Sequence, residues 1–264
     1  MKNYQYNIYC PGGNDTALVN TLVTGRCLRK KINDQIMKIN PSVEQVGFVS
    51  KKQNRYSLVM AGNEFCGNAT RAAAYYFLFG NPGQIKISVS GASKLLEAGV
   101  NSTNQVWAKM PIFSSLKCAS KINNYWLVKM QGISHVIISR QQLFSNQKLA
   151  KTEARKILTK LDLLNKYPAS GVMFVNKNRG ITSLEPVVWV RDIKTFFYET
   201  ACGSGTTALG IYEAVISGKP YNQPVIQPSG MKIEVTVKLG KNKIKSASIN
   251  GPIKVLKKDQ VIAI

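Results

Sequence analysis

The sequence predicts an α+β fold of two similar domains. Each is a strand-rich sheet or barrel wrapped around one central α-helix, with the active site in the cleft between them. Three observations predict it. One short motif occurs twice, as Glu64-Phe65-Cys66-Gly67-Asn68-Ala69-Thr70 and as Glu199-Thr200-Ala201-Cys202-Gly203-Ser204-Gly205-Thr206. Each copy runs into a stretch that is apolar nearly all round, Ala72-Ala73-Ala74-Tyr75-Tyr76-Phe77 and Ala208-Leu209-Gly210-Ile211-Tyr212. Such a helix suits burial inside a shell. Around both copies, apolar and polar residues alternate in short runs, the period of half-buried strands.

In chain order, residues 4–10 alternate as a strand, and Pro11-Gly12-Gly13-Asn14-Asp15 breaks it. Residues 25–37 space Leu28, Ile32 and Ile36 as a helix would. Strands follow at 43–49 and 55–60, then the first cysteine helix, then strands at 84–91, 94–100 and 105–110. One helix among many strands packs most simply as a sheet around that helix. The stretch Met110 to Asn124, with Pro111 and several serines, reads as the crossover, which places the domains at 1–112 and 113–264. The second domain repeats the plan. Strands at 125–130 and 135–139 precede a helix at 147–164 with an apolar stripe and lysines opposite. Strands at 171–176 and 186–191 precede the second cysteine helix at 204–216, and strands near 224–227, 231–239, 243–249 and 253–264 close the chain.

A chain of 264 residues with 44% hydrophobic residues can bury a proper core. Five cysteines at irregular spacing and a single histidine argue against a disulfide framework and against a zinc site. Reduced cysteines point to the cytoplasm. The first residues lack the apolar core of a signal peptide, and no apolar run is long enough to span a membrane. The balance of 36 Lys+Arg against 13 Asp+Glu gives a net charge of +23. The basic residues are scattered and no nucleic-acid motif accompanies them. A lysine-biased solvated surface is therefore the preferred reading, with a basic nucleic-acid-binding module as the rival.

The motif pair carries the chemistry. A helix start offers spare N–H groups and a partial positive charge, which hold a carboxylate and favour a nearby thiolate. Asn68 and Ser204 fall near the N-cap or first turn of their helices. Two such starts, at Gly67-Asn68 and Gly203-Ser204, would clamp one substrate carboxylate and leave Cys66 and Cys202 on opposite faces of the adjacent carbon. That arrangement fits inversion of a stereocentre by removing a proton from one face and adding one to the other. Two buried structural cysteines are the plainer alternative. The matched flanks count against it. Asn14 follows two glycines, so its backbone can approach a ligand closely. Glu199 sits three residues before Cys202, placed to orient a substrate amino group or to tune a thiol. Glu64 has a weaker claim.

These motifs resemble the two cysteine motifs of the cofactor-independent diaminopimelate epimerase superfamily. The run Met60-Ala61-Gly62-Asn63-Glu64-Phe65-Cys66-Gly67-Asn68-Ala69-Thr70 is especially similar to the histidine racemases within it. The resemblance covers nearly the whole chain. It implies catalytic roles for Cys66 and Cys202, and substrate contacts from Asn14, Gln45, Gly67, Asn68, Glu199, Gly203 and Ser204. By strand alternation, Glu44 is expected to point away from the pocket. His135, in Gln131-Gly132-Ile133-Ser134-His135, resembles a histidine that tunes the cysteines. The last strand, about 255–264, is expected to return to the first domain.

The positions that grip the far end of diaminopimelate are mostly replaced, near Met60, Ile133, Gly171 or Val172, and Lys194-Thr195. A pocket so altered would leave a distal charged head unpaired at a cost of several kcal/mol. The expected function is an amino-acid racemase without pyridoxal phosphate, with histidine the preferred substrate. Diaminopimelate epimerase or a racemase of another amino acid is the alternative. No cofactor, metal, membrane or nucleic-acid partner is expected, and a homodimer is left open.

Overall fold

The computed structural model describes residues 2–103 and 105–264. The strands β1 (Asn3–Pro11), β2 (Asp15–Val19), β3 (Val43–Lys52), β4 (Arg55–Met60), β5 (Gly83–Val89), β6 (Leu96–Val100) and β7 (Gln105–Lys109) follow one another side by side. Helix α1 (Arg26–Ile39) connects β2 to β3, and α2 (Gly67–Phe77) connects β4 to β5. Both of those strand pairs are parallel, which is why each needs a crossover. The second run comprises β8 (Ala119–Ile122), β9 (Tyr125–Met130), β10 (Ile133–Ser139), β11 (Ala169–Asn178), β12 (Ile181–Val190), β13 (Thr195–Tyr198), β14 (Tyr221–Ile226), β15 (Lys232–Gly240) and β16 (Lys243–Ala263). Its helices are α3 (Gln147–Lys160) and α4 (Gly203–Ser217).

The long strand β16 belongs to both runs. Its first part pairs with β15, its middle with β7, and Ile253 to Ala263 pair with β1. That last pairing closes an eight-stranded barrel, β1-β2-β3-β4-β5-β6-β7-β16. Helix α2 fills it, touching every strand from β1 to β7. A helix enclosed by eight strands must be slim. Ala69, Ala72, Ala73 and Ala74 make it so, and each is fully buried. The other side of β16 continues as β15-β14-β12-β11-β10-β9-β8 around α4, with β13 flanking β12. There Gly210 makes room for Val235, since a Cβ at position 210 would lie 2.9 Å from its methyl. Helix α3 lies outside and packs Ala150, Ala154, Ile157 and Leu158 on that sheet, capped by Asn146.

The structure differs from the sequence reading in four elements. The expected crossover contains β8, which pairs with β9. Strands β2 and β13 lie in stretches to which the sequence reading assigned no element. The gap left between the strands at 243–249 and 253–264 is absent: Pro252, which has no N–H to donate, sits where β16 leaves β7 for β1, and its carbonyl accepts the Gly12 N–H at 3.3 Å. At that crossing Arg71 of α2, fully buried, donates to Val106 O (2.8 Å), Gly251 O (2.6 Å) and Pro252 O (3.0 Å). It fastens the cysteine-bearing helix to the shared strand. Among the described residues no helix is long and apolar enough to cross a membrane.

Candidate active site

Both cysteines are themselves the N-cap residues of their helices, two positions before Asn68 and Ser204, which lie in the first turn. Cys66 and Cys202 have extended backbone, and each sulfur accepts the N–H three residues on, from Ala69 at 3.3 Å and Gly205 at 3.2 Å. The sulfur thus occupies the place of a capping oxygen, beside the positive end of the helix. The two starts abut. Asn68 Nδ2 donates to Ala201 O at 2.9 Å, and a Cβ on Gly203 would lie 3.0 Å from Asn68 Oδ1. Glycine at 203 is what lets the helices approach. Asn68 Oδ1 is buried without a partner. Gln227, in the turn after β14, accepts the Cys202 N–H at 3.0 Å and donates to Thr206 Oγ1 at 3.0 Å, which holds the second cap in place.

Gln45, Cys66, Gly67, Asn68, Glu199, Cys202, Gly203 and Ser204 all line one enclosed cavity of about 30 Å³. Two of the sequence-derived residues stand one layer behind it. Asn14, fully buried, donates to Glu44 Oε2 at 2.5 Å and accepts from Thr16. His135, also fully buried, bonds Ser204 Oγ at 3.0 Å, and Ser204 Oγ lies 3.5 Å from the Cys202 sulfur. The histidine therefore reaches the thiol through a serine. Gly171 makes room for its ring, since a Cβ there would sit 2.5 Å from Nδ1.

Glu44 corrects the strand-alternation reading, because it lines the same cavity as Gln45. The cause is a bulge. Asp15 faces Val43 and Thr16 faces Gln45, so Glu44 is an extra residue in β3 and its side chain stays on the inner side. Its carboxyl accepts from Asn14 and from the Thr200 backbone N–H at 3.1 Å, and its Oε1 is hydrogen-bonded to the Thr200 hydroxyl oxygen. The only sign in the sequence was its position beside Gln45.

Three carboxyl groups thus surround two thiols in a buried site. Burial, and then the neighbouring Glu199, pushes Glu44 up to about 8. Burial also pushes Glu64 and Glu199 up to about 7 each. Both thiols are driven well up by burial, with Glu199 adding its charge. Burial holds His135 down at about 3. The folded carboxyls keep protons through a pH range in which unfolded ones, near 4.3, have lost them. The folded state then binds more protons, so its stability falls as pH rises through that window. His135 acts in the opposite sense, but only below its unfolded value near 6.5. The melting temperature of the free protein is expected to fall by several degrees from pH 6.5 to 8.5, and Glu44→Gln to flatten the slope. Thermal denaturation at stepped pH checks this.

Two thiols at abutting helix starts line one cavity inside this strand-and-helix fold, and the relatives of the chain make it an isomerase of the racemase and epimerase class. The chain belongs to the histidine racemase family: residues 4–261 match the family model described as the histidine racemase CntK N-terminal domain. It is 34% identical over 237 residues to a histidine racemase of Fusobacterium nucleatum subsp. nucleatum, covering 83% of this chain and 84% of that one. It is 26% identical over 247 residues to a histidine racemase of Staphylococcus aureus, covering 89% and 88%. A crystal structure of a hydroxyproline epimerase from Agrobacterium vitis, with bound trans-4-hydroxy-L-proline, shares the fold. Its TM-score is 0.67 at 13% identity, over 99% of this chain and 91% of that one.

Proposed function

We propose that this protein interconverts L- and D-histidine without pyridoxal phosphate, by a two-base mechanism in which Cys66 and Cys202 act on opposite faces of the α-carbon. The observation that carries the reading is the pair of cysteine-capped helix starts on one cavity. The α-carboxylate lies between the starts at Gly67-Asn68 and Gly203-Ser204, where unpaired N–H groups stabilise the charge that builds up when the α-proton leaves. One cysteine, as thiolate, removes that proton. The other, as thiol, supplies one to the opposite face. The roles exchange for the other enantiomer.

The choice of histidine rests on the family and on the cavity wall. Ile133, Val188, Val190, Ile193 and Phe197 supply an apolar surface, and Glu64 beside it has a buried Oε2 without a partner. An imidazole needs both, a flat apolar contact and an acceptor for its N–H. A cavity of about 30 Å³ is far below the several hundred Å³ of a typical ligand site. The substrate therefore enters an open form, with residues 1–112 and the returning strand of about 255–264 moving against the rest of 113–264. Free cysteines throughout fit a reducing, cytoplasmic setting.

Incubation of single L-amino acids with the protein in deuterated water tests the reading. Histidine is expected to exchange its α-hydrogen and lose optical activity, and diaminopimelate to do neither. Exchange on another amino acid alone would reassign the substrate. No exchange on any, together with salt-dependent oligonucleotide binding, would favour the basic binding module instead.

A further inference from the structure

A chain of polar groups joins the two sulfurs. The Cys66 thiol donates to Gln45 Oε1 over 2.6 Å, and Gln45 Nε2 donates to Glu199 Oε1 over 3.0 Å. The Glu199 carboxyl stands beside the Cys202 sulfur, and its Oε2 is buried without a hydrogen-bond partner. Gln45 and Glu199 are 154 residues apart in sequence, so the chain spans the two strand-and-helix units. Glu44 of β3 and Glu64 ahead of α2 also face the cavity, and His135 of β10 approaches it through Ser204.

A carboxamide has one accepting and one donating end of nearly equal shape, and a carboxylic acid likewise accepts with one oxygen and donates with the other. Each group can therefore be reversed without a change of volume. A two-base racemase has two free forms, with the thiolate at Cys202 or at Cys66. Resting on the racemase reading above, we propose that Gln45 and Glu199 are positioning residues forming a directional hydrogen-bond chain that reverses with every turnover. In the first form Cys66 S–H donates to Gln45 Oε1, Gln45 Nε2 donates to Glu199 Oε1, and the Glu199 Oε2 hydroxyl donates to the Cys202 thiolate. In the second form the Glu199 carboxyl is turned by half a revolution: Cys202 S–H donates to Glu199 Oε1, the Glu199 Oε2 hydroxyl donates to Gln45 Oε1, and Gln45 Nε2 donates to the Cys66 thiolate. The protons balance. One passes from Cys66 to the α-carbon and one from the α-carbon to Cys202. Glu199 keeps its own on the same oxygen, and the half-turn of the carboxyl carries that hydroxyl from the Cys202 side to the Gln45 side. The orientation observed for Gln45 is that of the first form.

The test separates this chain from a proton-accepting role for Glu199. Gln45→Met and Glu199→Met, which have no polar end, are expected to lower kcat for both enantiomers by roughly 10- to 100-fold, the worth of one hydrogen bond to a charged group. KM should change little. Glu199→Gln can reverse like the acid, so it is expected to recover most of what Glu199→Met loses. If Glu199→Gln is as impaired as Glu199→Met, or if Gln45→Met raises KM alone, the chain is wrong. A second measurement needs no substrate: iodoacetamide labelling of each cysteine against pH, read by peptide mass spectrometry. Cys66→Ser is expected to shift the Cys202 profile, and not to do so when Gln45→Met is also present. A shift that survives Gln45→Met overturns the chain while leaving the racemase reading intact. Coupled labelling in a protein that exchanges no amino acid overturns the racemase reading and leaves the chain standing.

Discussion

Cys202→Ser is expected to reduce racemisation by about three orders of magnitude while leaving the fold intact. Acid–base groups placed at the reacting atom contribute roughly 10²- to 10⁴-fold, and a serine hydroxyl cannot supply the base at neutral pH. The same substitution preserves the helix. Serine is a preferred N-cap, and its oxygen can accept the Gly205 N–H that the sulfur now takes at 3.2 Å. Stability should therefore change little, and the loss of activity will report on chemistry alone. The variant keeps Cys66, so one enantiomer should still exchange its α-hydrogen in deuterated water without inverting. Cys66→Ser should show the mirror result, with exchange confined to the other enantiomer. Chiral chromatography alongside mass spectrometry distinguishes exchange from inversion. Near-normal turnover in both directions by either variant would rule out the two-base scheme.

Gly13→Ala is expected to lower kcat by roughly 10- to 100-fold from a position that lines no part of the cavity. Gly13 has φ +100°, a conformation an L side chain rarely adopts, and a Cβ there would lie 2.2 Å from Ser229. Strain of this kind and overpacking each cost about 1–2 kcal/mol, and each 1.36 kcal/mol on the barrier is tenfold in rate. The clash falls on a latch. Ser229 Oγ donates to Gly12 O at 2.9 Å, Thr200 Oγ1 donates to Gly13 O at 2.7 Å, and Thr200 N–H donates to Glu44 at 3.1 Å. Under the proposed closure, pushing Ser229 away would loosen the form in which the two thiols are to meet the substrate. KM should rise together with the fall in kcat, while the melting temperature drops only a few degrees. A Gly13→Ala enzyme with wild-type kcat would show that this latch has no part in closure.

Much of the fold was legible because its signals are local. The alternating strand at 84–91 and the alanine-rich run after Cys66 depend on which face each residue presents, a property of the segment itself. Strand β2 was missed because five residues after a glycine turn carry little pattern of their own. Its strand character comes from pairing with β1 and β3. Glu44 was misplaced for the same kind of reason. A bulge is a property of two paired strands, and nothing in Val43-Glu44-Gln45 reveals that Thr16 will pair with Gln45.

The sequence by itself determined the chemistry available. Two Cys-Gly motifs with matched flanks, each heading a buried helix, specify two thiols at helix starts, since capping and apolar periodicity act within a few residues. The tertiary structure alone decided who the partners of those thiols are. Gln45 meets Glu199, Asn68 meets Ala201, and His135 reaches Cys202 through Ser204, because strand closure through β16 and the abutting helix starts bring distant segments within hydrogen-bond range. Hydrogen bonds act over about 3 Å, and no spacing along the chain encodes which residues will come that close across more than a hundred positions.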